Sequence, residues 1–183
     1  MDAMEQRILQ VIDAHAEEIK AFGRDIFHHA ELGYKEHRTA GKFAEALRRL
    51  GIQPQEGLAI TGVKGELPGT RDQKVRVAVM GELDALPISN ASHTNPETGA
   101  AHCCGHHAQL TGVLGAAIAL SDPEVKANLD GVPVFMAVPA EECVDLEFKE
   151  KLAQEGKIRY FGGKCEFIRI GAMDDIDLVV GHH

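Results

Sequence analysis

The chain has 183 residues, enough for one sizeable α/β core, and its 44% hydrophobic content is that of an ordinary globular protein rather than a disordered or membrane chain. Its 28 acidic against 19 basic side chains leave a net charge of −9, which argues against a phosphate-binding surface and so against nucleic acid as a partner. No apolar run is long enough to cross a bilayer, no signal-peptide pattern follows Met1, and the four cysteines lack a disulfide-framework spacing, so no membrane association and a cytoplasmic setting are expected.

Apolar residues at Ile8, Val11, Ile12, Ile19, Phe22 and Ile26 recur at helical spacing and predict one long helix from Met4 to Phe27. The stretch His28 to Tyr34 breaks it. A second helix follows Thr39, runs through Phe43, Leu47 and Leu50 and stops at Gly51. Val63 to Leu67 reads as a short strand closed by Pro68-Gly69. Val75 to Leu83, Val132 to Val138 and Ile176 to Val180 have the continuous β-branched, apolar composition of buried strands. Ser89 to Gly99 is a loop, His107 to Leu120 a helix rich in small residues, Asp145 to Glu155 a helix, and Gly156 to Ile170 less regular. Together these predict an α/β fold, a three-layer α/β/α arrangement about a mostly parallel or mixed sheet, with no repeat or low-complexity tract.

Chemistry-bearing residues sit where such a fold collects ligands, beyond the carboxyl ends of strands. Asp84, Glu141, Glu142, His182 and His183 each follow a predicted strand, and Cys104-Gly105-His106 opens a helix. At a helix start, free N–H groups favour anions and lower a thiol pKa. Thiolate, imidazole and carboxylate are ligand types that borderline cations such as Zn²⁺ accept, and two such ions can clamp both oxygens of a tetrahedral intermediate.

These segments resemble, in order, the motifs of the dinuclear metal-dependent amidohydrolases of metallopeptidase family M20, in particular the auxin-conjugate, hippurate and aminobenzoyl-glutamate hydrolases. The matching runs are His28-His29-Ala30-Glu31-Leu32-Gly33, Glu82-Leu83-Asp84-Ala85-Leu86-Pro87, His102-Cys103-Cys104-Gly105-His106, Pro139-Ala140-Glu141-Glu142 and Gly171 to Asp177. The resemblance implies a zinc-peptidase-like fold and hydrolysis of the amide bond of N-acyl or N-aroyl amino acids, or of similar peptide-like small molecules, by a water activated at two divalent metal ions (Zn, Mn or Co). It implies that Cys104, His106, Glu142 and His183 are metal ligands, that Glu141 is the general base, and that Asp84 orients the site. It also implies that residues 1–183 form the N-terminal part of a catalytic domain, without the lid and dimerisation domain or the later histidine ligand. The chain alone would then hold one ion or none and tend to self-associate. A truncated, non-catalytic relative is the alternative reading.

The chain departs from the pattern at Glu82, where the family has Asp, at His107 and Gln109, where many members have Asp and His, and in a charged insertion from about Asp145 to Lys164. Blander readings apply to several residues. His28 and His29 suit a hydrogen-bonded turn, Cys103 a packed small hydrophobe, and Lys164 a solvated surface lysine. His182 and His183 read equally as a frayed terminus. Gly105 is expected to make room for two converging ligands. A thiol redox role for Cys103 and Cys104 is poor, because vicinal cysteines lack the Cys-x-x-Cys spacing.

Overall fold

The computed structural model describes residues 1–183, the side chain of Asp72 excepted. Asp2 and Glu5 form a capping box, each backbone N–H donating to the other's carboxylate at 2.8 Å, and so start helix α1 (Ala3–Ala14). The single opening helix expected from Met4 to Phe27 is in fact two. The chain leaves helical geometry at His15 (φ −103°, ψ 9°) and resumes as α2 (Ala16–His28). A one-residue break barely changes the phase of the apolar stripe, so Val11, Phe22 and Ile26 still enter one core and the periodicity does not register the break. Helix α3 (His37–Arg49) is capped from outside. The Glu31 carboxylate accepts the N–H groups of Arg38 and Thr39 and the Thr39 hydroxyl at 2.8 to 3.1 Å.

Strands β1 (Pro54–Leu58), β2 (Gly62–Glu66), β3 (Asp72–Glu82), β4 (Asp130–Val138) and β5 (Leu178–Gly181) form one mixed sheet in the order β1-β2-β4-β3-β5. The β1–β2 and β2–β4 pairs are antiparallel, and β4–β3 and β3–β5 are parallel. The three expected strands therefore share one sheet, but β5 corrects the expectation of burial: it is the strand at the edge of the sheet, and Leu178, Val179 and Val180 are exposed. Strand β1 carries no such signal, because it is an edge strand of mixed polarity.

Alternation along β4 builds both cores. Phe135 and Ala137 face α1, α2, α3 and α4 (His106–Ser121), packing with Phe43, Leu47, Leu110 and Leu114. Val134, Met136 and Val138 face the other side, where Phe167 of α7 (Gly163–Arg169) covers them. Helix α7 corrects the expectation of irregular chain from Gly156 to Ile170. Two further helices are α5 (Pro123–Ala127) and α6 (Leu146–Gln154). Helix α4 lies close on β3, where a Cβ on Gly81 would come within 3.2 Å of Leu110 Cα. Because β3, β4 and β5 run parallel, their carboxyl ends share one edge, and the N-terminus of α4 opens beside it. Among the described residues no helix is long and apolar enough to cross a membrane.

Candidate functional site

The turn after β4 is fixed before any ligand is considered. Ala140 takes a left-handed φ of +50°, and the carboxylate of Asp84, just past β3, accepts the N–H groups of both Glu141 and Glu142 at 3.0 Å. The buried Glu36 carboxyl accepts the Ala140 N–H at 2.8 Å and the Thr61 hydroxyl at 2.6 Å, and Lys149 Nζ donates to the Glu142 carbonyl at 2.5 Å. Gly33 makes room for this turn, since a Cβ there would lie 2.9 Å from the Ala140 Cα. Gln109 ties two strand ends together. Its Oε1 accepts the Glu82 N–H at 2.8 Å, and its Nε2 donates to the His182 carbonyl at 2.7 Å.

On this frame His106 is central. Its Nδ1 donates to the Asp84 carbonyl at 2.8 Å, which turns Nε2 toward the open edge. Nε2 lies 2.9 Å from Glu82 Oε2, 3.7 Å from Glu141 Oε2 and 4.0 Å from Glu142 Oε1. Cys104 Sγ is 3.2 Å from His183 Nε2. Two sets of potential ligand atoms, Cys104–His106–His183 and Glu82–His106–Glu141, each lie within 4.8 Å of one another. All six residues singled out in the sequence thus meet at one place, and Glu82 joins them. Four of them, Glu82, Cys104, Glu141 and His183, line a cavity of about 520 Å³ together with Gln109 and Lys164.

The electrostatics follow from burial. Burial alone would raise the Glu82 carboxyl, but His106 and Lys164 override it and hold it near 2. Burial would likewise lower His106, yet Asp84 and Glu82 raise it to about 11. Each group thus favours the charged form of the other, and an ion binding at Nε2 competes with the proton there. The Cys104 thiol is raised, by burial and by Glu142. The helix start was expected to lower it, but burial first, and then the nearby Glu142 carboxylate, push it the other way.

The donor set suits divalent cations of borderline softness. Glu82 Oε2, His106 Nε2 and Glu142 Oε1 are buried polar atoms without a hydrogen-bond partner, although Nε2 and Glu82 Oε2 are only 2.9 Å apart. Buried groups left this way call for a further partner, and a cation near His106 Nε2 is of the kind that supplies one.

Other expectations change. Cys103 is exposed rather than packed, with Sγ 3.7 Å from His93 Nε2. Lys164 is no free lysine, because its Nζ pairs with Glu82 and lies 3.6 Å from Glu141 Oε1. Gly105 is needed for its backbone φ of +111°, and a Cβ there would meet nothing within 4 Å, so room for ligands is not the reason. His28 and His29 stay outside the cluster, His29 Nδ1 bonding the Asp25 carbonyl at 2.7 Å. Glu36, Gln109, Lys149 and Lys164 were not read as site residues. The departures at Glu82 and Gln109 from a motif otherwise kept were the one available signal.

No family model matches the chain. It is 33% identical over 164 residues to thermostable carboxypeptidase 2 of Saccharolobus solfataricus, covering 87% of this chain and 37% of that protein. It is 36% identical over 139 residues to IAA-amino acid hydrolase ILR1-like 2 of Arabidopsis thaliana, covering 74% and 30%. Its fold superposes with a TM-score of 0.71 on a dinuclear metal binding peptidase from the M20 family of Bacillus subtilis, 24% identical, over 91% of this chain and 42% of that one. The chain thus spans well under half the length of these proteins.

Proposed function

This chain belongs to the M20 family of metal-dependent amidohydrolases and peptidases, and we propose that it carries the metal-holding part of an enzyme that hydrolyses the amide bond of N-acyl or N-aroyl amino acids at a two-metal site. The observation that carries this reading is the convergence of His106 Nε2 and the unpartnered Glu142 Oε1 with the Cys104–His183 pair. In it Cys104, His106, Glu142 and His183 are the ligands. Divalent cations there would supply Lewis acidity, polarising a carbonyl oxygen and lowering the pKa of a water toward roughly 7.

The chain's own residues supply the rest. Glu141 is partly exposed to the cavity, and its carboxylate is the base that takes the water's proton. Asp84 holds the backbone of both glutamates, so that one side chain serves as base and its neighbour as ligand. Relatives named as a carboxypeptidase and an amino acid hydrolase support an amide substrate with an amino-acid portion.

The test uses the full-length protein with hippurate or a similar N-aroyl amino acid. Glu141→Ala is expected to abolish turnover with metal content largely kept, and Glu142→Ala to lose metal as well. Equal metal loss in both would reject this division of roles.

A further inference from the structure

Lys164 brings a positive charge to a cavity that is otherwise unfavourable to anions. Among the described residues that line the cavity it is the one lysine or arginine, while Glu82 and Glu141 line it too and the chain carries a net charge of −9. Its Nζ pairs with Oε1 of Glu82, whose Oε2 lies 2.9 Å from His106 Nε2, and it stands 3.6 Å from Glu141 Oε1. An ammonium has three N–H donors, and at 3.6 Å Glu141 lies beyond hydrogen-bond range, so Glu82 takes one donor and two remain. The lysine side chain is 47% exposed, which leaves the ammonium an open side toward the cavity. Burial works against its charge, but Glu82 first, and then Glu141, override it and raise the ammonium above its usual value.

The position is built by backbone packing. The Gly163 N–H donates to the Ala140 carbonyl at 3.3 Å, and a Cβ on Gly163 would overlap the Pro139 carbonyl oxygen, so only glycine permits α7 to begin so close to the end of β4. Starting there, the helix sets its second residue, Lys164, beside Glu141 at the cavity wall.

Resting on the metallohydrolase reading, we propose that Lys164 receives the free carboxylate of the substrate, and so selects amides of α-amino acids over amides whose amine side is uncharged. In an N-acyl α-amino acid a single carbon separates the carboxylate from the amide nitrogen. The ammonium stands beside Glu141, the base that serves the scissile carbonyl, so an amide placed at the base brings such a carboxylate to Lys164. With the lysine gone, the same substrate meets the carboxylates of Glu82 and Glu141 with no lysine or arginine in the lining to offset them.

The experiment uses the full-length protein loaded with Zn²⁺ or Mn²⁺ and two pairs of probes, hippurate and N-acetylleucine, each beside its uncharged carboxamide. The ratio of acid to carboxamide is read in kcat/KM, and again in affinity by calorimetry in the Glu141→Ala background, where turnover is removed and the ion kept. The wild type is expected to favour at least one acid by about tenfold or more, as a hydrogen-bonded charge pair does. Lys164→Met is expected to bring that ratio within about twofold of one in both measurements, and Lys164→Gln to do the same should Met perturb folding, which circular dichroism reads. Lys157→Met, which removes a surface charge paired with Glu155, should leave the ratio whole. No preference for either acid in the wild type, a preference undiminished in either folded Lys164 variant, or an equal loss in Lys157→Met would overturn the inference alone. Hydrolysis of none of the four probes by the wild type would overturn the metallohydrolase reading, and the inference with it.

Discussion

The carboxyl group of Glu36 accepts a hydrogen bond from the Ala140 N–H at 2.8 Å, joining the start of α3 to the residue that precedes Glu141. Ala140 sits at φ +50°, a region that costs a residue with a Cβ roughly 1–2 kcal/mol, so this turn persists only because its surroundings hold it. Removing the carboxyl leaves the Ala140 N–H and the Thr61 hydroxyl unpaired in a fully buried place. Glu36→Ala should therefore cost about 1–3 kcal/mol, and Glu36→Gln, which keeps one acceptor, less. Urea unfolding of the two variants checks the order.

The same group makes stability depend on pH. Burial first, and then the charge of Asp84, raise the Glu36 carboxyl from 4.5 to about 7. Between those values the folded chain keeps a proton that the unfolded chain has lost, so this contribution is full below about 4.5 and is lost as pH rises through about 7. The change is on the order of 3 kcal/mol. The stability difference between wild type and Glu36→Gln should move in favour of the variant from pH 5 to pH 8, and a constant difference would contradict the assignment.

Asp84 faces two N–H donors at once, and an amide cannot accept from both without turning its NH₂ toward one of them. Asp84→Asn is expected to lower stability by about 1–3 kcal/mol. By loosening the Glu141–Glu142 turn and the seat of His106 it should weaken ion binding by about 10- to 100-fold. Denaturant unfolding and an ion titration on the same preparation read both effects.

Gly163 and Gly162 are adjacent but not equivalent. A Cβ on Gly163 meets the Pro139 carbonyl oxygen at 1.8 Å, while one on Gly162 meets nothing within 4 Å. Gly163→Ala should destabilise the chain by more than about 2 kcal/mol, because backbone has to move, whereas Gly162→Ala should stay within about 1 kcal/mol of wild type. Similar unfolding midpoints for the two would show that α7 does not depend on this close approach.

Much of the scaffold was legible because it is local. Continuous apolar runs marked β3, β4 and β5, and a strand rule placed the residues after them at one edge. The break at His15 was hidden because one residue hardly shifts a helical stripe. Helix α7 was hidden because Gly162-Gly163 reads as a loop until the Pro139 carbonyl beside it is known.

By itself the sequence determined which chemical groups stand at the strand ends and the helix start: Asp84, Cys104, His106, Glu141, Glu142 and His183, in the order of a metallohydrolase. Only the tertiary structure decided what surrounds them. Glu82 as a buried partner of His106, Gln109 as the tie to His182, Glu36 beneath Ala140 and Lys164 above Glu141 each join segments 23 to 104 residues apart. Such contacts arise from strand order and close backbone approach, and a residue's own neighbours in the chain carry no record of either.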